Sequence, residues 1–110
     1  METGTASGEL SASPNPFTPN GDGRDDRTVL RFELPVPRAT ARLTVFDARG
    51  RERARFLDGE AVAGTGELVW DGADSNGEAL PTGLYVLLLE AIDAPRGVLV
   101  TARAAVALIR

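Results

Sequence analysis

The chain has no histidine, cysteine, lysine or glutamine, and all 12 of its basic residues are arginine. These absences exclude more than composition usually does. Without His or Cys there is no Ser-His or Cys-His nucleophile pair and no zinc site with imidazole or thiolate ligands. Without Lys there is no Schiff base and no Lys-Asn isopeptide crosslink. Only paired carboxylates could support catalysis, and they would need burial in a cleft. The acids here sit mostly on turn-like segments, so the sequence reads as a non-enzyme. Disulfides are excluded as a source of stability, which leaves the compartment open. One Trp, one Tyr and four Phe are too few for a platform of spaced rings. No apolar run approaches the roughly 20 residues a spanning helix needs. A net charge of -4 argues against nucleic-acid or anionic-membrane partners.

What is present is alternation. In residues 28–34, Leu30, Phe32 and Leu34 share one face, with Arg31 and Glu33 on the other; Pro35 and Pro37 read as a stop. Residues 39–47 repeat the pattern with Ala41, Leu43 and Val45 inward and Phe46 out of phase. Ala48-Arg49-Gly50 reads as a turn into residues 51–57, Asp58-Gly59 as a break, and residues 66–70 as a short strand. Asn76-Gly77 and Leu80-Pro81-Thr82-Gly83 are turns. Residues 84–92 form a nearly continuous apolar run, expected of a strand covered on both faces. Residues 98–109 are rich in alanine and could be helical by propensity, but β-branched neighbours favour a strand. With 110 residues the chain can bury about two-thirds of its extended surface in one domain. These signals predict an all-β antiparallel β-sandwich of about seven strands. Residues 1–12 read as a linker with a candidate first strand, without the charged-then-apolar pattern of a leader, and 13–110 as the domain. The expected core is Leu30, Phe32, Leu43, Val45, Trp70, Tyr85, Leu87, Leu89 and the last strand.

The segment 13–26, SPNPFTPNGDGRDD, carries the most specific signal. Its prolines exclude a helix or a central strand. Asn20, Asp22, Asp25 and Asp26 then supply side-chain oxygens around two glycines. In the register of a calcium loop of the EF-hand type, Asn20, Asp22 and Asp26 take positions three, five and nine, and the Arg24 carbonyl the seventh. Thr18 and Val29 replace the first and last acids, so a Ca²⁺ site would borrow oxygens from elsewhere, such as Asp71 or Asp74. The alternative is an Asx-rich turn whose side chains bond their own backbone amides. Residues 71–77 read as a second acidic turn. Trp70 reads as a core anchor or, alternatively, a sugar-stacking ring. Arg49, Arg51, Arg53 and Arg55 read as a basic stripe, either a solvated face opposite Glu60 or Glu67 or a phosphate- or lipopolysaccharide-binding surface.

Taken in order, Asn15-Pro16-Phe17-Thr18-Pro19-Asn20-Gly21-Asp22-Gly23, Val45-Phe46-Asp47, Gly50-Arg51, Trp70-Asp71-Gly72, Asn76-Gly77 and Leu80-Pro81-Thr82-Gly83-Leu84-Tyr85 resemble a known set. The set is that of the immunoglobulin-like domain of the flagellar hook-cap type. It is similar also to the gliding-motility-associated C-terminal domains that act as type IX secretion sorting signals. The resemblance covers residues 13–110. It implies a non-catalytic sorting or cell-surface attachment module of a larger secreted bacterial protein. Its partner would be a secretion translocon or another cell-envelope component, and the domain itself a monomer. A chain ending in Leu108-Ile109-Arg110 directly after a strand suits the C-terminal position that the resemblance implies. A carbohydrate-binding or adhesive accessory domain and a structural spacer are the alternative functions.

Overall fold

A computed structural model describes residues 4–110. It contains six strands: β1 (Gly4–Ser7), β2 (Glu9–Ser13), β3 (Thr28–Phe46), β4 (Glu52–Trp70), β5 (Gly83–Asp93) and β6 (Val98–Leu108). Among the described residues there is no helix. The residues read as a linker therefore carry two short strands, and Met1, Glu2 and Thr3 lie outside the described part. The alanine-rich segment is a strand, paired along its whole length with β5 from Gly83↔Leu108 to Asp93↔Val98.

β3 and β4 each run through a place where the sequence suggested a stop and so each joins two expected strands, while the N-terminal part supplies two strands in place of one, which brings the count from about seven to six. The first part of β3 pairs with β2 over Val29 to Glu33, and its last part pairs with β5 over Thr40 to Phe46. β4 follows β3 throughout, antiparallel. Both strands thus pass from one layer of the sandwich to the other. At the crossing, Leu34, Pro35, Val36 and Pro37 lie between two paired stretches, opposite the single residue Gly64. A proline there forfeits no ladder hydrogen bond, so Pro35 and Pro37 mark the crossing without ending the strand. Leu34 and Val36 stay buried through it. Gly64 is required by close approach: a Cβ on it would collide with the Val36 carbonyl oxygen.

The supposed break at Asp58-Gly59 is a bulge. Ala41 pairs with Glu60 and Arg42 with Asp58, leaving Gly59 as the extra residue at φ 85°, a conformation glycine adopts without strain. Two more one-residue bulges follow, at Phe56 and Arg53.

One layer is thus β2 with the first part of β3 and the last part of β4. The other is the first part of β4, the last part of β3, then β5, β6 and β1, with β1 parallel to β6. The core between them contains Leu30, Phe32, Leu43, Val45, Trp70, Tyr85, Leu87 and Leu89, as alternation led one to expect, but of the last strand it contains only Val100, Ala102, Val106 and Leu108, with Leu99 and Ile109 exposed. It also holds Phe17 and Leu80, both from loops. β5 differs from expectation. Tyr85, Leu87, Leu89 and Ala91 are buried, but Leu84 is 52% exposed and Ile92 38%. Only one face is covered, because a two-layer sandwich has nothing outside its second sheet.

Candidate functional site

The PNPF segment is fixed to the body by both its backbone and its ring. Asn15 imitates a strand: its Nδ2 donates to the Ala105 carbonyl (2.9 Å) and its Oδ1 accepts from the Ala107 amide (3.0 Å). Two residues on, the Phe17 amide donates to the Ala107 carbonyl, and the Ile109 amide donates to the Phe17 carbonyl, both at 3.0 Å. These bonds occupy the edge of β6 just beyond the reach of β1. The Phe17 ring is fully buried and lies 5.3 Å from the Trp70 ring, which meets Tyr85 edge-on at 5.6 Å. Trp70 Nε1 donates to the Ala73 carbonyl (2.9 Å) and the Tyr85 hydroxyl to the Pro81 carbonyl (2.6 Å). The aromatic cluster therefore anchors three loops at one end of the sandwich. Trp70 is 1% exposed, so it presents no face on which a sugar could stack.

Beyond Phe17 the loop folds around Asp26. Its Oδ1 accepts from the amides of Asn20 (3.1 Å) and Gly21 (2.9 Å), and its Oδ2 from that of Gly23 (2.7 Å). Asn20 Oδ1 accepts from the Asp22 amide (3.1 Å) and Asp22 Oδ1 from the Arg24 amide (2.7 Å). Gly21 and Gly23, at φ 80° and 81°, turn successive amides toward the same carboxylate. Desolvation raises the pKa of Asp26, but the amides of Gly23, Gly21, Asn20 and Asp22 together outweigh it and hold the group below the ordinary aspartate range. Asp74 repeats the device: its Oδ1 accepts from the amides of Asn76 and Glu78, both at 2.9 Å.

The residues proposed for a cation thus serve as acceptors for the loop's own amides. A Ca²⁺ ion would share Asp22 and Asp26 with these amides, and Asp22 Oδ2 accepts from none of them among the described residues. Of the two acids from which further oxygens might come, Asp71 shares a shallow cavity of about 310 Å³ with Asp26, although Arg27 and Arg110 line it as well. Asp74 does not line it. Among the described residues, no three acidic side chains converge in a way that could hold a metal.

Arg110, like Phe17, is a residue whose role sequence reasoning missed. Its Nη1 donates to the Pro19 carbonyl (2.9 Å), its Nη2 to that of Gly72 (3.1 Å), and its Nε to that of Leu80. One guanidinium thereby ties together the three loops that the aromatic cluster anchors from below. A terminal arginine gives no sign of this in sequence, since its partners lie up to 91 positions away.

The arginine stripe does not form. The bulges at Arg53 and Phe56 break the alternation that would have aligned it. Arg51 Nε (2.9 Å) and Arg53 Nη1 (3.2 Å) both reach Asp47. Arg55 reaches Glu52 (2.6 Å) and Asp58 (3.2 Å). The expected partners were Glu60 and Glu67, but Glu67 pairs with Arg31 (2.9 Å). Asp47 is buried and also accepts from the amides of Arg49 and Arg51. The Arg51 amide, helped by the Arg51 and Arg53 side chains and the Arg49 amide, outweighs desolvation and lowers its pKa to about 2.

Solved structures that share this architecture include the following two. FlgD from P. aeruginosa superposes with a TM-score of 0.55 at 20% identity, over 93% of this chain and 65% of that one. PorZ, a surface component of the type IX secretion system of Porphyromonas gingivalis, does so with a TM-score of 0.54 at 19% identity, over 92% of this chain and 11% of that one. The chain thus spans less than two-thirds of FlgD and a small part of PorZ, and at these identities the likeness establishes the fold. No curated protein matches the sequence. The profile of the FlgD Ig-like domain matches residues 17–94, a span that runs from the buried Phe17 through both long strands to the turn after β5, and the chain belongs to that family.

Proposed function

We propose that the domain is a non-catalytic recognition module that sorts a larger secreted bacterial protein to the cell surface and attaches it there, through a type IX-like route. The observation that carries this reading is the kinship in fold with a surface component of such a system. Three features of the chain support it. Asp26, Asp47, Asp58 and Asp74 are occupied by backbone amides or arginines, and among the described residues no three acids cluster as a metal site would need. The three loops are locked by Phe17, Trp70 and Arg110 into a rigid end that a receptor could read. A long strand edge stands open on the side of the sandwich. The carbohydrate-binding alternative has lost its stacking residue, because Trp70 is in the core. The structural spacer is the competing reading.

The test is to fuse the whole chain to a reporter in a host with a type IX system. The fusion must begin before β1, since residues 4–13 contribute two strands. The expected result is reporter at the cell surface or in the medium. Retention in the periplasm, while a native cargo of the same host is exported, rejects sorting and leaves the spacer.

A further inference from the structure

β6 has a neighbour on each side. On one it pairs with β5 along its whole length, antiparallel. On the other its partners come from residues 4–17 and run parallel to it. β1 takes the start of the strand, from Gly4↔Val98 to Ser7↔Thr101, and the Gly8 amide donates to the Thr101 carbonyl (2.9 Å). The chain then leaves to form β2 beside β3 in the other layer, and returns to β6 further along. There the Asn15 side chain bonds both Ala105 and Ala107. Phe17 lies opposite Leu108 in a parallel bridge, its amide and carbonyl bonded to Ala107 and Ile109. The N-terminal segment is thus joined to both ends of an 11-residue strand.

This arrangement fixes how the domain responds to a pull on its two ends. The chain ahead of β1 leaves beside Val98, and the chain after β6 leaves beyond Leu108, at the opposite end of the same strand. A force between them draws β1 and Phe17 one way and β6 the other, along the strand axis. Inter-strand hydrogen bonds cross between strands rather than running along them. They are therefore loaded in shear, and the bonds of one patch must yield together. In an antiparallel hairpin pulled open at its free ends, they yield one at a time. Peeling β6 away from its C-terminal end is obstructed as well. Leu108 is fully buried, and the Arg110 amide donates to Thr82 Oγ1 (2.8 Å). The Arg110 guanidinium holds the Pro19 carbonyl (2.9 Å), two residues beyond Phe17. On the N-terminal side, the Phe17 ring would have to leave the core together with its backbone.

We propose that the domain bears tension. The contact of residues 4–17 with β6 is a shear clamp that keeps the sandwich closed while its two ends are drawn apart. This function goes beyond the sorting reading, and it serves a module that holds a protein at a cell surface and a structural spacer alike.

Single-molecule force spectroscopy on the full chain is the test. The chain carries Pro81→Cys, an exposed position in a protein with no other thiol, and is pulled in two ways. One set of handles is fused to the two termini. The other joins the thiol at position 81 to the C-terminus, so that the pull opens the β5–β6 hairpin from its Gly83↔Leu108 end. Both pulls act on one protein of one equilibrium stability, and forced unfolding is governed by the barrier along each direction. At equal loading rate the terminal handles should need a several-fold higher force. Asn15→Ala removes two bonds of the clamp and should lower that force while leaving the hairpin-opening force unchanged. Asn15→Asp, which loses the donor to Ala105, is the second variant if Asn15→Ala fails to fold. Equal forces in the two directions, a lower force between the termini, or a terminal force unmoved by the folded variant overturns the proposal. A strong clamp in a chain that directs no export removes sorting and leaves the clamp. Export by a chain whose terminal force does not exceed that of the hairpin removes the clamp and leaves sorting.

Discussion

Replacing Phe17 by alanine tests whether the PNPF segment belongs to the core or is merely a loop lying over it. The ring is fully buried, so the whole transfer term is lost, and Phe→Ala changes of this kind cost about 3–5 kcal/mol. The upper half of that range is expected for two reasons. Phe17 is one of the rings packed on Trp70, a contact worth about 0.5–1.5 kcal/mol beyond area alone. Trp70 cannot swing in to fill the hole, because Nε1 is bonded to Ala73 and the ring meets both Phe56 and Tyr85. The Phe17 backbone bonds to β6 survive the substitution, so the loss is that of the side chain alone. For a domain with about 5–15 kcal/mol of total stability, this is a large share. Urea unfolding followed by the single tryptophan is the assay. With a slope of about 1.5 kcal/mol per molar urea, the midpoint should fall by about 3 M. Phe17→Leu, which keeps most of the volume, should cost under about 2 kcal/mol. A midpoint shift for Phe17→Ala below about 0.5 M would refute the argument and return the segment to the surface.

Gly64→Ala should destabilise by about 1–3 kcal/mol, because its methyl would strike the Val36 carbonyl where β3 and β4 change layers; a neutral result in thermal melts would show that the crossing can relax. Asp47, with its pKa lowered from 3.8 to about 2, binds fewer protons folded than unfolded, so its contribution is present above the unfolded pKa and is lost as pH falls toward the folded one. Asp47→Asn should therefore be less stable than wild type near neutral pH and lose less on acidification; parallel pH profiles of the urea midpoint for the two proteins would contradict this. The cation proposal for Asn20, Asp22, Asp26 and the Arg24 carbonyl carries its own expected outcome. Calcium at a hundred times its dissociation constant adds about 2.7 kcal/mol and should raise the melting temperature by several degrees over chelator, whereas coincident curves remove the metal.

Much of the fold was legible because alternation is a local signal. A residue facing inward in a strand must be apolar whichever strand covers it, so Leu30, Phe32, Leu43, Val45, Leu87 and Leu89 could be assigned to the core without knowing the partners. Proline and glycine were read as stops because locally they are. Pro35, Pro37 and Gly59 became a crossing and a bulge only because β4 holds β3 in register on either side. The three bulges in β4 were invisible for the same reason, and they scattered the arginines that strict alternation had aligned. The ring of Phe17 and the guanidinium of Arg110 were missed because their partners are remote in sequence. The acidic loop was legible as a choice between two roles, and the side-chain directions show which atoms each carboxylate faces.

By itself the sequence determined which chemistry is absent and that the chain forms strands, since residue type and a two-residue period depend on nothing outside the segment. Tertiary structure alone decided that two long strands serve both layers, that Asp26 and Asp47 spend their oxygens on nearby amides and arginines, and that one edge of β4 is left open. Those outcomes depend on which segments become neighbours, and pairing between distant strands is a property of the assembled sheet that no local pattern encodes.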